Sequence, residues 1–112
     1  MKIKRSARLQ LPPKTVEEKK DILFKKINLE NKSRLFYSKN RERIVYIFKR
    51  DDGFYSVGAE RLTLADDEEV TTYETYGWWE PDIIRKSIFE TEEMAYNDIK
   101  NILVDYEELI IK

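Results

Sequence analysis

Between residues 34 and 80 the apolar residues recur with a period of two, while before and after that stretch they recur at spacings of three and four. This change of period confines the chain to a sheet framed by helices. Alternation puts side chains on opposite faces of a strand, whereas three-four spacing lines one side of a helix. Ile44, Tyr46 and Phe48 alternate with Val45, Ile47 and Lys49; Asp51-Asp52-Gly53 then supplies turn chemistry, and Phe54, Tyr55, Val57, Leu62 and Leu64 resume strand character. A shorter strand is expected over 34–38. Another is expected over 70–79, after an acidic turn at Asp66-Asp67-Glu68-Glu69, with Pro81 ending it and Ser87-Ile88-Phe89 offering a short return strand. Connections this short make the sheet antiparallel, with one face left for a helix to cover.

The flanking helices carry their own punctuation. Thr15 with Glu18 three residues later is a capping-box signature, and Val16, Lys19/Lys20, Leu23 and Ile27 trace one face of a helix expected over 16–29. At the other end Thr91 is a good N-cap followed by Glu92 and Glu93. Ala95, Ile99, Ile102, Leu103, Tyr106 and Leu109 then give an amphipathic face suited to packing across a sheet. The fold class is therefore α+β: an N-terminal helix, an antiparallel meander of four or five strands, and a C-terminal helix on one sheet face. Residues 15–112 form one expected domain, preceded by a basic tail over 1–14 that holds Lys2, Lys4, Arg5, Arg8 and Lys14 and ends at Pro12-Pro13.

Composition excludes several kinds of chemistry. With no cysteine and no histidine, the chain lacks disulfides, thiolate nucleophiles, sulfur-ligated zinc and the commonest general base and metal ligand. Asp66-Asp67-Glu68-Glu69 and Asp51-Asp52-Gly53 lack the alternate acidic spacing of a calcium loop, and none of the glycines at 53, 58 and 77 belongs to a phosphate-binding motif. No catalysis, cofactor or metal is expected. No stretch offers the roughly 20 apolar residues of a membrane span, and no apolar run follows the basic opening, so the expected location is cytoplasmic, away from membrane.

Charge is divided along the chain. Residues 1–50 hold 16 Lys and Arg against 5 Asp and Glu; residues 51–112 hold 5 against 17. A chain with one basic and one acidic half suits an oppositely charged partner, or a second copy of itself as a weak homodimer. The basic half also contains Phe36, Tyr37, Tyr46 and Phe48, which keeps a nucleic-acid-associated or regulatory accessory role open as the alternative. The acidic overall balance, pI near 5.6, weighs against it. The candidate binding surface lies in the acidic half: Asp66, Asp67, Glu68, Glu69, Glu74, Tyr76, Trp78, Trp79, Glu80 and Asp82. On a continuous strand, Glu74, Tyr76 and Trp78 share one face and Tyr73, Thr75 and Trp79 the other. One face then displays a large aromatic beside carboxylates, the composition of an interface hot spot.

Taken together, Tyr55-x-Val57-x-x-Glu60-x-Leu62, Tyr76-Gly77-x-Trp79-Glu80-Pro81 and Ser87-Ile88-Phe89-Glu90-Thr91-Glu92-Glu93-x-Ala95-Tyr96 resemble the small bacterial immunity proteins that accompany polymorphic toxins. The resemblance covers roughly the last 60 residues. It implies a protein that binds one cognate toxin in the producing cell and blocks its active site or substrate groove. The ten acidic and aromatic residues would form the contact, with Trp78 or Trp79 as the desolvated anchor.

Overall fold

The structure, a computed structural model, describes residues 11–82 and 87–111. The expected basic tail lies outside the described residues up to residue 10. In chain order the elements are α1 (Val16–Phe24), β1 (Lys32–Tyr37), β2 (Arg43–Lys49), β3 (Tyr55–Leu64), α2 (Asp67–Tyr73), β4 (Gly77–Pro81), α3 (Glu92–Ile99), a 3-10 turn (Lys100–Leu103) and β5 (Glu107–Leu109). The fold is α+β, with one five-stranded antiparallel sheet in the order β4-β3-β2-β1-β5. Among the described residues no helix is long and apolar enough to cross a membrane.

The chain forms two compact units. One is drawn from residues up to Ile27 together with Thr63–Trp79, the other from Asn28–Leu62 together with residues from Glu80 onward. In the first, the capping box predicted for α1 is present: Thr15 Oγ1 accepts from the Glu18 backbone N–H at 3.1 Å and the Glu18 carboxylate accepts from Thr15 N–H at 2.9 Å. Leu23 is buried here, and so is Lys20, whose stem lies on the face that the three-four spacing assigned to the interior. The Lys19 ammonium donates to the Ala65 carbonyl at 3.1 Å.

In the second unit, β1, β2 and β3 form a regular meander. Phe36 faces Val45 and Val45 faces Ala59 in register, and Ile47 faces Val57. These five residues and Ala95, Ile99 and Leu103 make one core cluster, against which Tyr55, Phe89, Tyr96 and Tyr106 pack. Gly53, at φ 88, lets the β2–β3 connection close: its N–H donates to the Arg50 carbonyl, and Arg50 N–H donates to Phe54 O at 2.7 Å. Ser87-Ile88-Phe89 contributes a single bridge, Tyr55 to Phe89, with both backbone hydrogen bonds at 2.8 Å.

Two expectations are corrected. The strand expected over 70–79 is divided, because Asp66 and Glu69 cap a helix in place of an acidic turn and the strand begins only at Gly77. The C-terminal helix expected to reach Leu109 stops at Ile99 and tightens into the 3-10 turn. Residues 107–109 instead pair with β1, where ladder hydrogen bonds and an ion pair to Arg34 outweigh three-four periodicity.

Candidate functional site

α2 owes its existence to its acids. Asp66 sits in extended backbone as the N-cap and its carboxylate accepts from Glu69 N–H at 2.8 Å; the Glu69 carboxylate accepts from Asp66 N–H at 3.0 Å. Two of the four successive acids therefore satisfy donors that the first helical turn leaves open, and all four lie where the helix dipole favours negative charge. Asp67 and Glu68 are exposed. Glu74 ends the helix in left-handed conformation at φ 55 and is exposed too. Residues 66–74 thus hold five carboxylates and no cation, and Asp67, Glu68 and Glu74 form no ion pair among the described residues. Tyr73, 65% exposed, stands beside them at the last helical position.

The aromatic residues of the same unit are used largely inward. Tyr76 is buried and its hydroxyl donates to the Pro12 carbonyl at 2.6 Å. The Trp79 indole N–H donates at 3.0 Å to the Leu23 carbonyl near the C-terminus of α1, and Trp78 and Trp79 are both half-buried. A glycine is required where β4 begins. A Cβ on Gly77 would collide with the Thr63 carbonyl oxygen and lie 2.8 Å from Leu23 Cδ1.

Glu80 and Asp82 belong to the second unit and have a different task. Arg43 and Arg61 are directly opposed on β2 and β3, a pairing of like charges that needs compensation. Asp82 accepts from Arg43 Nε at 2.8 Å and Glu80 lies 3.5 Å from Arg61 Nε. Arg43 also donates to the Tyr106 hydroxyl at 3.3 Å. Burial opposes its charge, yet the bonds to Tyr106 and Asp82 hold the guanidinium above its ordinary pKa.

Of the ten residues singled out in the sequence, eight (Asp66, Asp67, Glu68, Glu69, Glu74, Tyr76, Trp78 and Trp79) fall in the first unit, while Glu80 and Asp82 neutralise arginines of the second. The expected alternation from Glu74 to Trp79 does not operate, because residues 74–76 precede the strand. Sequence reasoning left Tyr73 out of the candidate surface, although a continuous strand would have put it on the same face as Trp79. Its position immediately before Glu74, four residues ahead of Gly77, gave no distinct signal.

A groove of about 960 Å³ in the second unit is lined by Tyr46, Phe48, Ser56, Gly58, Asp82 and Ile88, among others. Its one described carboxylate, Asp82, is the partner of Arg43. No group of three or more Asp or Glu suited to holding a metal ion occurs among the described residues. No protein-family model, curated protein or solved structure matches the chain.

Proposed function

We propose that this chain is a non-catalytic binding protein of the immunity type, which acts in the cytoplasm of a producing bacterium and neutralises a cognate toxin by covering its active site or substrate groove. The observation that carries the reading is the α2 stretch, whose five carboxylates have no cation within residues 66–74, with Asp67, Glu68 and Glu74 forming no ion pair among the described residues, beside exposed Tyr73. A protein that keeps uncompensated charge next to an aromatic has the elements of a charged rim and an anchor. Such a surface meets a basic active-site groove with complementary potential and fast association. The architecture that goes with it is a helix ahead of the sheet and a C-terminal helix on one sheet face, supported by the core that Ala95 and Ile99 share with Phe36, Val45 and Ile47.

The basic half supports this reading over nucleic-acid binding. Arg34, Arg43 and Arg50 hold Glu108, Asp82 and Asp52 of their own chain, and those contacts compete with phosphate. The test is capture of a partner by the tagged chain, followed by assay of the captured protein's activity with and without added chain. The expected result is one stoichiometric protein whose activity is inhibited, with association slowed at least several-fold by Asp67→Asn with Glu68→Gln and by added salt. Capture of nucleic acid alone, or association unchanged by those substitutions, would overturn the assignment.

A further inference from the structure

We propose that the outer edge of β1 is an exchange site, covered in the single chain by its own β5 and able to take the β5 of a second copy. β5 is held to β1 over three residues, Leu35 facing Leu109, Phe36 facing Glu108 and Tyr37 facing Glu107. Side-chain chemistry reinforces that short ladder. Arg34 donates through Nε and Nη2 to both oxygens of Glu108 at 2.8 and 2.7 Å, and the Tyr37 hydroxyl donates to Glu107 at 2.8 Å. The Arg34 guanidinium also lies 4.3 Å from the Tyr96 ring centroid and 5.1 Å from that of Phe36, so its receptor position is fixed by α3 and β1 whether or not β5 is present.

Every one of these contacts is available to β5 from another copy. The connection is short: Leu103 is buried in the core and β5 begins at Glu107, leaving Val104, Asp105 and Tyr106 to make the turn. Exchange gives up the turn's own bond from Tyr106 N–H to the Leu103 carbonyl at 3.0 Å, while the β5 ladder, the Arg34–Glu108 pair and the Tyr37–Glu107 bond are restored by the partner. Exposed apolar side chains gather at the same place. Ile102 is 48% exposed, Val104 79% and Ile110 73%, and in a monomer these residues on the two flanks of β5 face water. Simple edge-to-edge pairing of two β5 strands is the poorer arrangement, since it would bring Glu107 and Glu108 of one copy against those of the other.

A short tether gives β5 an effective concentration in the millimolar range for its own β1, so exchange becomes populated on refolding at comparable chain concentrations. The chain's lack of cysteine makes a direct test possible. Two singly substituted chains, Tyr37→Cys and Glu107→Cys, are unfolded together, refolded at high concentration and oxidised. Directly opposed residues of antiparallel strands lie within disulfide reach. Exchange predicts a mixed-disulfide dimer forming at least ten-fold faster than from Tyr37→Cys with Asn97→Cys, whose thiol sits on α3 away from β1. Native mass spectrometry of unsubstituted, isotope-mixed chains refolded in the same way should show a dimer containing one chain of each label. Equal disulfide rates for the two mixtures, with only monomer in the unsubstituted sample, would overturn the proposal.

Discussion

Residues 66–74 and residues 80–82 are both acidic, yet the carboxylates of the two stretches end in opposite circumstances. In the first, Asp66 and Glu69 close on backbone N–H groups of their own helix, and the remaining acids form no ion pair among the described residues. In the second, Glu80 and Asp82 are delivered to Arg61 and Arg43, whose cross-strand opposition calls for two negative charges. Strand register makes the difference. An acid on a sheet is placed opposite whatever the neighbouring strand carries, whereas an acid in the first turn of a helix has the dipole as its partner and can dispense with a counter-ion. Three ion pairs in the second unit, Arg34–Glu108, Arg43–Asp82 and Arg50–Asp52, join arginines of the basic half to carboxylates of the acidic half. The division so marked along the chain is largely cancelled there.

The largest effect should come from the residue between the two stretches. Gly77→Ala forces a Cβ onto the Thr63 carbonyl and Leu23, backbone and packed side chain with little room to yield, and should cost about 3 kcal/mol or more in urea unfolding. A loss below about 1 kcal/mol would mean that β4 starts differently. Next is a direct comparison of the acids. Asp82→Asn leaves the partly buried Arg43 without its charged acceptor and should cost about 2 kcal/mol, while Asp67→Asn, which gives up only its place at the helix N-terminus, should stay within about 0.5 kcal/mol. Equal losses would erase the distinction between paired and unpaired carboxylates.

A phenol sharpens the contrast from the alkaline side. Burial, and after it the charge and hydrogen bond of Glu60, push the Tyr46 hydroxyl up to about 12. The neutral form is the one the fold favours. That stability is complete below the unfolded value of 10.0 and is lost as pH rises toward 12. Tyr46→Phe should flatten the alkaline limb of a stability–pH curve by on the order of 1 kcal/mol, discounted because the ring is only half-buried. An alkaline limb identical in the two proteins would mean that neither burial nor Glu60 raises the Tyr46 hydroxyl.

How much of this was legible in the sequence depends on whether the signal was local. The Thr15–Glu18 capping box, the Asp51-Asp52-Gly53 turn and the alternation through β2 are set by neighbours within a few residues, and each is present in the structure. The errors arose where local and distant interactions compete. Asp66-x-x-Glu69 is the same capping pattern as Thr15-x-x-Glu18, and reading it as a turn overlooked a helix that the residues specify. Tyr106 and Leu109 continue a helical spacing, but the open edge of β1 and the guanidinium of Arg34, some 70 residues away in sequence, draw residues 107–109 into the sheet. The pairing of Glu80 and Asp82 was hidden for the same reason, since nothing near them in sequence names Arg61 or Arg43 as their partners.

The smallest effect separates the Arg34–Glu108 pair from the acids of α2. The hydrogen bond from Arg34, followed by the charge of its guanidinium, holds the Glu108 carboxyl below its ordinary value of 4.5. A depressed carboxyl stabilises the fold above the unfolded value, and the contribution disappears as pH falls through the folded one. Glu18 and Asp52, held low chiefly by backbone N–H groups, act in the same window, so the parent's acid limb alone does not isolate the pair. The informative quantity is the difference between parent and Glu108→Gln. At pH 7 it should be about 0.5 kcal/mol, because the pair is partly solvated, and it should shrink toward zero as pH falls below 4.5 and through the lower folded value, where Glu108 is protonated in both folded and unfolded chains. Amide exchange at Leu35, Phe36 and Tyr37 should follow the same course, faster in the variant at pH 7 once the intrinsic pH dependence is removed. A difference that persists at low pH would show that Gln disturbs packing at β5 and that the charge of Glu108 contributes nothing of its own.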